Sequence, residues 1–133
     1  MHNSANTLKT APAIAVQLSY LGMCIFWQLI NVGLIAAEQQ PLGPAASLVA
    51  VAAMIVVAIL LVISVRRFIW LYAGLSLLLA LGALHAIYGA FIGAADNWPS
   101  TYFRVIGAAI NGVGVIGAAL ACQLVIRSRR RKR

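Results

Sequence analysis

The chain has 133 residues, of which 63% are hydrophobic and only 9% are charged. A soluble domain of this size would lack the polar surface needed to cover itself, so the composition excludes an ordinary soluble domain and indicates a membrane protein. The net charge of +8 comes from ten basic residues against two acidic ones, Glu38 and Asp96, and it is concentrated at the end of the chain.

The first long apolar segment covers residues 14–37. As a helix it would be about 36 Å long, enough to cross the roughly 30 Å hydrocarbon core of a bilayer. It is longer than the apolar part of a signal peptide, which favours a true membrane span. Polar residues recur along it at helical spacing, and this polar stripe is expected to face protein because unsatisfied amides are costly in hydrocarbon. Its members are Gln17, Tyr20, Cys24, Gln28 and Asn31.

The second and third apolar segments follow a loop that is rich in proline and glycine. The second, residues 45–65, is almost wholly aliphatic and ends at Arg66 and Arg67, which indicate a cytoplasmic turn. The third, residues 69–94, has small residues on one helical face, a pattern that favours close packing between membrane helices. These residues are Gly82, Ala86, Gly89 and Gly93, and the last two form a GxxxG motif.

The fourth apolar segment, residues 105–126, also has small residues at intervals of three or four. On a helix these positions share one face, where small side chains let two backbones approach closely. We therefore expect the third and fourth spans to pack together as an antiparallel hairpin. The packing positions predicted on the fourth span are Gly107, Gly114 and Ala118.

A basic tail, residues 127–133, follows the fourth segment directly. Moving an arginine or lysine across a bilayer costs roughly 3 kcal/mol, so the tail is expected to stay in the cytoplasm. There it would anchor the chain to the membrane surface, which suits its position better than binding nucleic acid does. The anchor residues are Arg127, Arg129, Arg130, Arg131, Lys132 and Arg133.

The fold predicted from these segments is an all-α membrane protein with four transmembrane helices in an up-down bundle. Residues 1–133 would form a single transmembrane domain. An even number of spans places the N- and C-termini on the same side of the membrane. The basic residues predict that this side is the cytoplasm. The short terminal segments favour a bacterial inner membrane as the location.

Polar side chains of three spans are expected at a similar depth. Counted at 1.5 Å per residue, they lie about 9 to 14 Å below the outer ends of their helices. Two interpretations stay open for this polar layer. Its members can hydrogen-bond across helices, or they can line an outward-facing pocket for a lipid headgroup, a quinone or a small polar solute. The layer consists of Gln28, Asn31, His85, Tyr88 and Asn111.

Catalytic chemistry is poorly supported by the sequence. No carboxylate falls at membrane depth, and Cys24 and Cys122 form no CxxC pair. His85 is the only histidine in a span, so haem ligation by two histidines would require another chain. We therefore predict no cofactor, no metal site and no catalytic residue, and the weakest hypothesis is an enzyme with His85 as general base.

Two functional hypotheses follow. The first is a non-enzymatic accessory or assembly subunit of a larger membrane complex, or a homo-oligomer, whose partners are membrane lipids and other transmembrane subunits or a second copy. The second is a small transporter, channel, or lipid- or quinone-binding protein that uses the polar layer as a pocket. The small-residue faces favour the first hypothesis, and the polar layer favours the second.

Overall fold

The computed structural model of the protein describes residues 4–44, 46–93 and 97–130. These residues form helices and connecting loops and contain no strand. The helices are α1 (Ser4–Ala36), α2 (Leu48–Arg67), α3 (Ile69–Tyr88) and α4 (Thr101–Arg130), with a short π-helix (Gly89–Gly93) that continues α3.

Each of the four α-helices, α3 together with the π-helix that continues it, contains a stretch that is long and apolar enough to cross a membrane. The prediction of an all-helical chain with four candidate spans is confirmed at this level, and the fold is that of a multi-pass membrane protein. These stretches are Pro12–Ala36, Leu48–Arg67, Ile69–Ile92 and Thr101–Ser128.

The helix ends differ from the sequence-based limits for local reasons. Helix α1 begins at Ser4 and so contains Pro12 in its interior, where proline removes one intrahelical hydrogen bond. Helix α2 begins only at Leu48, because the Ser47 hydroxyl accepts a hydrogen bond from the Ala50 N–H at 3.3 Å and caps the helix. A single residue, Phe68, separates α2 from α3.

The helices pack in a closed ring in which α1 contacts α2 and α4, and α3 contacts α2 and α4. The contact between α3 and α4 is the most extensive of these. The centre of the bundle is a cluster of buried side chains from all four helices: Tyr20, Leu21, Leu61, Tyr72, Ala83 and Ala121.

A polar contact crosses the interior of the ring. The Gln17 amide of α1 donates a hydrogen bond from Nε2 to Ser76 Oγ of α3 at 2.8 Å, and both residues are only 1% exposed. Ser76 Oγ in turn donates to the Tyr72 carbonyl at 2.7 Å. Together with buried Tyr20 and Asn31, this contact shows that the polar stripe of α1 faces protein, as its helical spacing predicts.

Candidate functional site

A cavity of about 540 Å³ lies at the end of the bundle that carries the 37–47 and 97–100 loops. Its walls come from α1, α3 and α4, with Met54 from α2 and with Gly43, Pro44 and Trp98 from the loops. The lining is largely apolar and contains a few polar side chains. A cavity of this size and composition is typical of sites that bind small molecules in proteins.

Three of the five residues of the predicted polar layer line this cavity, namely Gln28, His85 and Asn111. The other two are not part of its wall. Asn31 is fully buried beside the 37–47 loop, and Tyr88 is 56% exposed on α3. The structure therefore brings residues of three different helices to one cavity, although it does not bring the whole layer there.

Gln28 and Asn31 fix the loop that follows α1. The Leu42 N–H donates to Asn31 Oδ1 at 2.6 Å, and the Ser47 N–H donates to Gln28 Oε1 at 3.1 Å. Asn31 Nδ2 also donates to the Trp27 carbonyl at 3.0 Å. Backbone N–H groups of a loop have no acceptors from regular secondary structure, and the two side-chain amides supply these acceptors. Gln28 and Asn31 therefore have a structural role whether or not a ligand is bound.

Asn111 is held between two helices. The Tyr20 hydroxyl of α1 donates to Asn111 Oδ1 at 3.0 Å, and Asn111 Nδ2 donates to the Gly107 carbonyl at 2.8 Å. Both ends of the amide are therefore engaged within the protein. Asn111 contributes to the shape of the cavity, and its hydrogen-bonding groups already have partners.

Three other polar groups of the cavity have no partner among the described residues. His85 is exposed and makes no hydrogen bond there, and Gln28 Nε2 has no acceptor, since only Oε1 of that amide is used. Trp98 Nε1 is buried and also lacks an acceptor. The His85 imidazole and Gln28 Nε2 are open to the cavity and are the groups able to recognise a ligand there. Trp98 Nε1 has almost no accessible surface, so Trp98 contributes its ring to the wall and not its N–H.

Trp98 is a lining residue that sequence analysis did not select for the site. A Cβ built at Gly107 would lie 2.6 Å from the Trp98 ring, and one at Gly43 would lie 3.1 Å from it. The ring is therefore seated between two glycines from different parts of the chain, and its centroid lies 6.5 Å from that of Trp27. In the sequence, Trp98 is an aromatic residue next to Pro99 in a loop, which indicates an anchor at the membrane interface. Nothing in the sequence indicates that its ring contacts Gly43.

The predicted packing residues behave differently on the two helices. Gly107, Gly114 and Ala118 of α4 are buried in the bundle. On α3, Gly82 and Ala86 are exposed, and a Cβ at Gly82 or Gly89 would meet nothing within 4 Å. Within this chain, Gly82, Ala86 and Gly89 line the cavity and do not hold a neighbouring helix. Gly93 ends the π-helix.

The basic tail begins within α4, which continues to Arg130. Arg127 is exposed near the end of this helix, and Arg129 and Arg130 belong to its last turn. Arg131, Lys132 and Arg133 lie outside the described residues, so the surface-anchor role of the tail stays a prediction.

Comparison with known proteins gives no relative: no protein-family model, no curated protein and no solved structure matches this chain. The chemistry of the cavity is therefore inferred from its own residues.

Proposed function

We propose that this protein binds an amphipathic small molecule or lipid, without chemical conversion, in the cavity between α1, α3 and α4. The observation that supports this function is the cavity itself, about 540 Å³ in volume and largely apolar, with unpaired polar groups from His85 and Gln28. An apolar molecule with a small polar headgroup matches such a wall, because it buries its apolar part and supplies hydrogen-bond partners at a few defined points.

We further propose that the cavity opens toward the outer side of a bacterial inner membrane. Arg66 and Arg67 lie in the α2–α3 connection, and Arg127 lies near the end of α4. The cavity lies at the end of the bundle with the other two connections. Cytoplasmic loops carry an excess of arginine and lysine, which favours an up-down bundle with both terminal segments of the chain inside.

The test is ligand-dependent stability of the purified protein in mild detergent. Molecules that co-purify are identified by mass spectrometry and added back, and the thermal unfolding midpoint is measured with each one. A ligand present at about 100 times its Kd stabilises by about 2.7 kcal/mol. We expect His85→Ala to weaken this stabilisation, whereas Tyr88→Ala, on the same helix outside the cavity wall, should leave it unchanged. If no co-purified or added lipid or small solute raises the midpoint, the proposal is wrong.

A second candidate function is an accessory or assembly subunit of a larger membrane complex, or a homo-oligomer. It is favoured by Gly82 and Ala86 of α3, exposed small residues that line the open cavity and that no helix of this chain covers. Small residues at such a face let another membrane helix approach closely.

The oligomeric state in mild detergent tests this second function. Gly82→Leu should convert a larger species to a monomer, and Gly74→Leu serves as the control, because Gly74 is also exposed on α3 with no neighbour within 4 Å of an added Cβ. A wild-type protein that is a lone monomer and co-purifies with no other protein would overturn the subunit proposal.

A further inference from the structure

Building on the proposed binding function, we infer that the occupant of the cavity is a membrane lipid that enters sideways from the bilayer, through an opening between α2 and α3. Its alkyl chain lies along the deep, apolar part of the cavity, and its polar part lies beside His85 and Gln28. The inference specifies the class of the ligand and its route, which the existence of a cavity does not.

The cavity is open along the side of the bundle. Apart from Pro44 in the loop, the exposed residues of its wall all lie on α3, whereas the wall residues of α1 and α4 are buried or half-buried. Those on α3 occur at helical spacing and so share one side of that helix. They are Leu78, Gly82, His85 and Ala86.

The opening lies between α2 and α3. Helix α3 has an extensive contact with α4 and a much smaller one with α2. Because Phe68 alone joins α2 to α3, these two helices are held together at that end of the bundle. Toward the other end, which we call the loop end because it carries the 37–47 and 97–100 loops, α2 contributes only Met54 to the cavity wall. The exposed side of α3 is therefore left uncovered by α2 there.

The opening faces hydrocarbon and not water. Its four α3 residues lie inside the apolar stretch Ile69–Ile92, with Ala86 about 9 Å and Leu78 about 21 Å from Ile92 along the helix. The hydrocarbon core of a bilayer is about 30 Å thick, so these positions lie within it. A molecule that reaches them from the side of the bundle comes from the lipid phase.

Polarity changes along the cavity with depth. Gln28 on α1 and His85 on α3 lie about 11 to 12 Å below the loop ends of their spans, and Leu21 and Leu78 lie about 21 to 23 Å below them. The groups able to recognise a ligand are therefore nearer the loop end, and aliphatic side chains line the deep part. A lipid in the adjacent leaflet has the same order, since its polar part lies toward the surface and its chain toward the middle of the bilayer.

His85 lacks the partner that its position requires. Ionisable residues in membrane spans normally face the protein interior or a water-filled cavity, because hydrocarbon is unfavourable for them. His85 is instead exposed at the opening and makes no hydrogen bond to the described residues. An ester or hydroxyl group of a lipid would supply this partner. Gln28 Nε2, at a similar depth on the α1 wall, is a second donor for such a group.

The wall is poorly suited to a charged solute from water. None of its residues is an aspartate, glutamate, lysine or arginine. The deep part includes Tyr20, but the Tyr20 hydroxyl already donates to Asn111. A charged solute would lose its hydration there without finding an opposite charge, which is strongly unfavourable. An alkyl chain needs no such partner.

The experiment maps lipid contacts of the full chain by photolabelling. The protein is reconstituted in vesicles of phosphatidylethanolamine and phosphatidylglycerol with a trace of phosphatidylcholine that carries a diazirine at the end of one acyl chain. Labelled residues are identified by mass spectrometry after illumination. We expect label on Leu21 and Cys24 of the α1 wall, because Leu21 is only 2% exposed and lipid outside the bundle does not reach it. Leu77 and Leu81, exposed on α3, report ordinary lipid contact.

A matched pair of variants tests the route. Gly82→Phe places a ring in the cavity at a position where an added Cβ meets nothing within 4 Å. It should reduce labelling of the α1 wall about tenfold, equivalent to about 1.4 kcal/mol of binding free energy. Gly74→Phe makes the same change on α3 outside the wall, again with nothing within 4 Å of the Cβ, and should leave the labelling unchanged.

A second measurement uses only the wild-type protein and so does not depend on the folding of a variant. Moving the diazirine from the chain end to a position next to the headgroup should shift the label from Leu21 to the level of Gln28 and His85. An unchanged pattern would contradict the orientation inferred for the lipid.

Each remaining outcome has a defined meaning. Label confined to exposed residues such as Leu77 and Leu81, with a water-soluble molecule that raises the thermal midpoint, overturns the lipid inference and leaves the binding function intact. Absence of both wall labelling and any stabilising molecule overturns both. An unlabelled wall in a dimer that Gly82→Leu converts to a monomer assigns the opening to a second copy and overturns the inference. Equal wall labelling of wild-type protein and Gly82→Phe would show that the lipid takes another route.

Discussion

The ring of Tyr20 lies directly against Gly114, so closely that a Cβ built at position 114 would be 2.7 Å from the Tyr20 Cζ atom. This contact sets the distance between α1 and α4. It also places the Tyr20 hydroxyl within 3.0 Å of Asn111 Oδ1, one turn before Gly114 on α4. The glycine and the hydrogen bond therefore act together at the same helix pair, and both can be tested.

Gly114→Ala should destabilise the protein by about 1–3 kcal/mol, because the new methyl group would lie 2.7 to 3.0 Å from three atoms of the buried Tyr20 ring. Gly112→Ala is the matched control, since a Cβ at Gly112 meets nothing within 4 Å. Thermal or denaturant unfolding in detergent measures the difference. Equal stability of the two variants would contradict the close approach of α1 and α4.

The Tyr20–Asn111 hydrogen bond should appear as a coupling energy in a double-mutant cycle. Tyr20→Phe and Asn111→Ala are made singly and together, and unfolding free energies are compared. Hydrogen bonds between membrane helices average about 0.6 kcal/mol and reach about 1.7 kcal/mol, so we expect coupling in this range. Strict additivity of the two substitutions would show that the hydrogen bond contributes nothing.

The Gln17–Ser76 pair should respond unequally to removal of its two partners. Ser76→Ala leaves a buried amide with no partner, because Gln17 Oε1 already lacks one, and this should cost about 1–3 kcal/mol. Gln17→Leu removes the whole amide and should be close to neutral. Ser64→Ala is the control for serine itself, since that hydroxyl bonds only within its own helix, to Leu61. A larger loss of stability for Gln17→Leu than for Ser76→Ala would contradict this explanation.

The proposed orientation predicts the behaviour of reporter fusions in a bacterial host. Green fluorescent protein fused after Arg133 should fluoresce, and alkaline phosphatase at the same position should be inactive, because basic tails stay in the cytoplasm. Alkaline phosphatase fused after Ser100, in the loop before α4, should be active. The reverse pattern at both positions would show that the bundle is inserted the other way.

The fold was predictable from sequence because its main signals are local. Segment length and hydropathy indicate four spans, and the spacing of Gln17, Tyr20 and Asn31 indicates which face of α1 is buried. The extension of α1 through Pro12 was not predictable in the same way, because a proline next to a polar segment is equally typical of a helix start.

The candidate site was predictable only in part. Depth counting placed Gln28, His85 and Asn111 at one level, since rise per residue is constant in a helix. It did not show that Gln28 would be used by the 37–47 loop, nor that Trp98 would complete the wall. These contacts depend on how the loops fold back over the bundle, and the helical spacing of residues in the sequence does not predict this. For the same reason, the sequence showed that small residues share one face of α3, but it did not show whether a helix or a cavity lies against that face.

The loop after α1 has a further property that follows from its hydrogen bonds. Its backbone is bonded at two points, Leu42 and Ser47, to amides one turn apart on a single rigid helix. Substitutions between these points preserve the bonds, because the bonds use main-chain N–H groups, although a side chain at Gly43 would press against Trp98. An inserted or deleted residue would shift one anchor relative to the other and displace Gly43 from Trp98. Surface loops usually tolerate changes in length better than the elements they connect, but natural variants of this protein should keep Gly43 and the number of residues here, and vary in the type of the other residues.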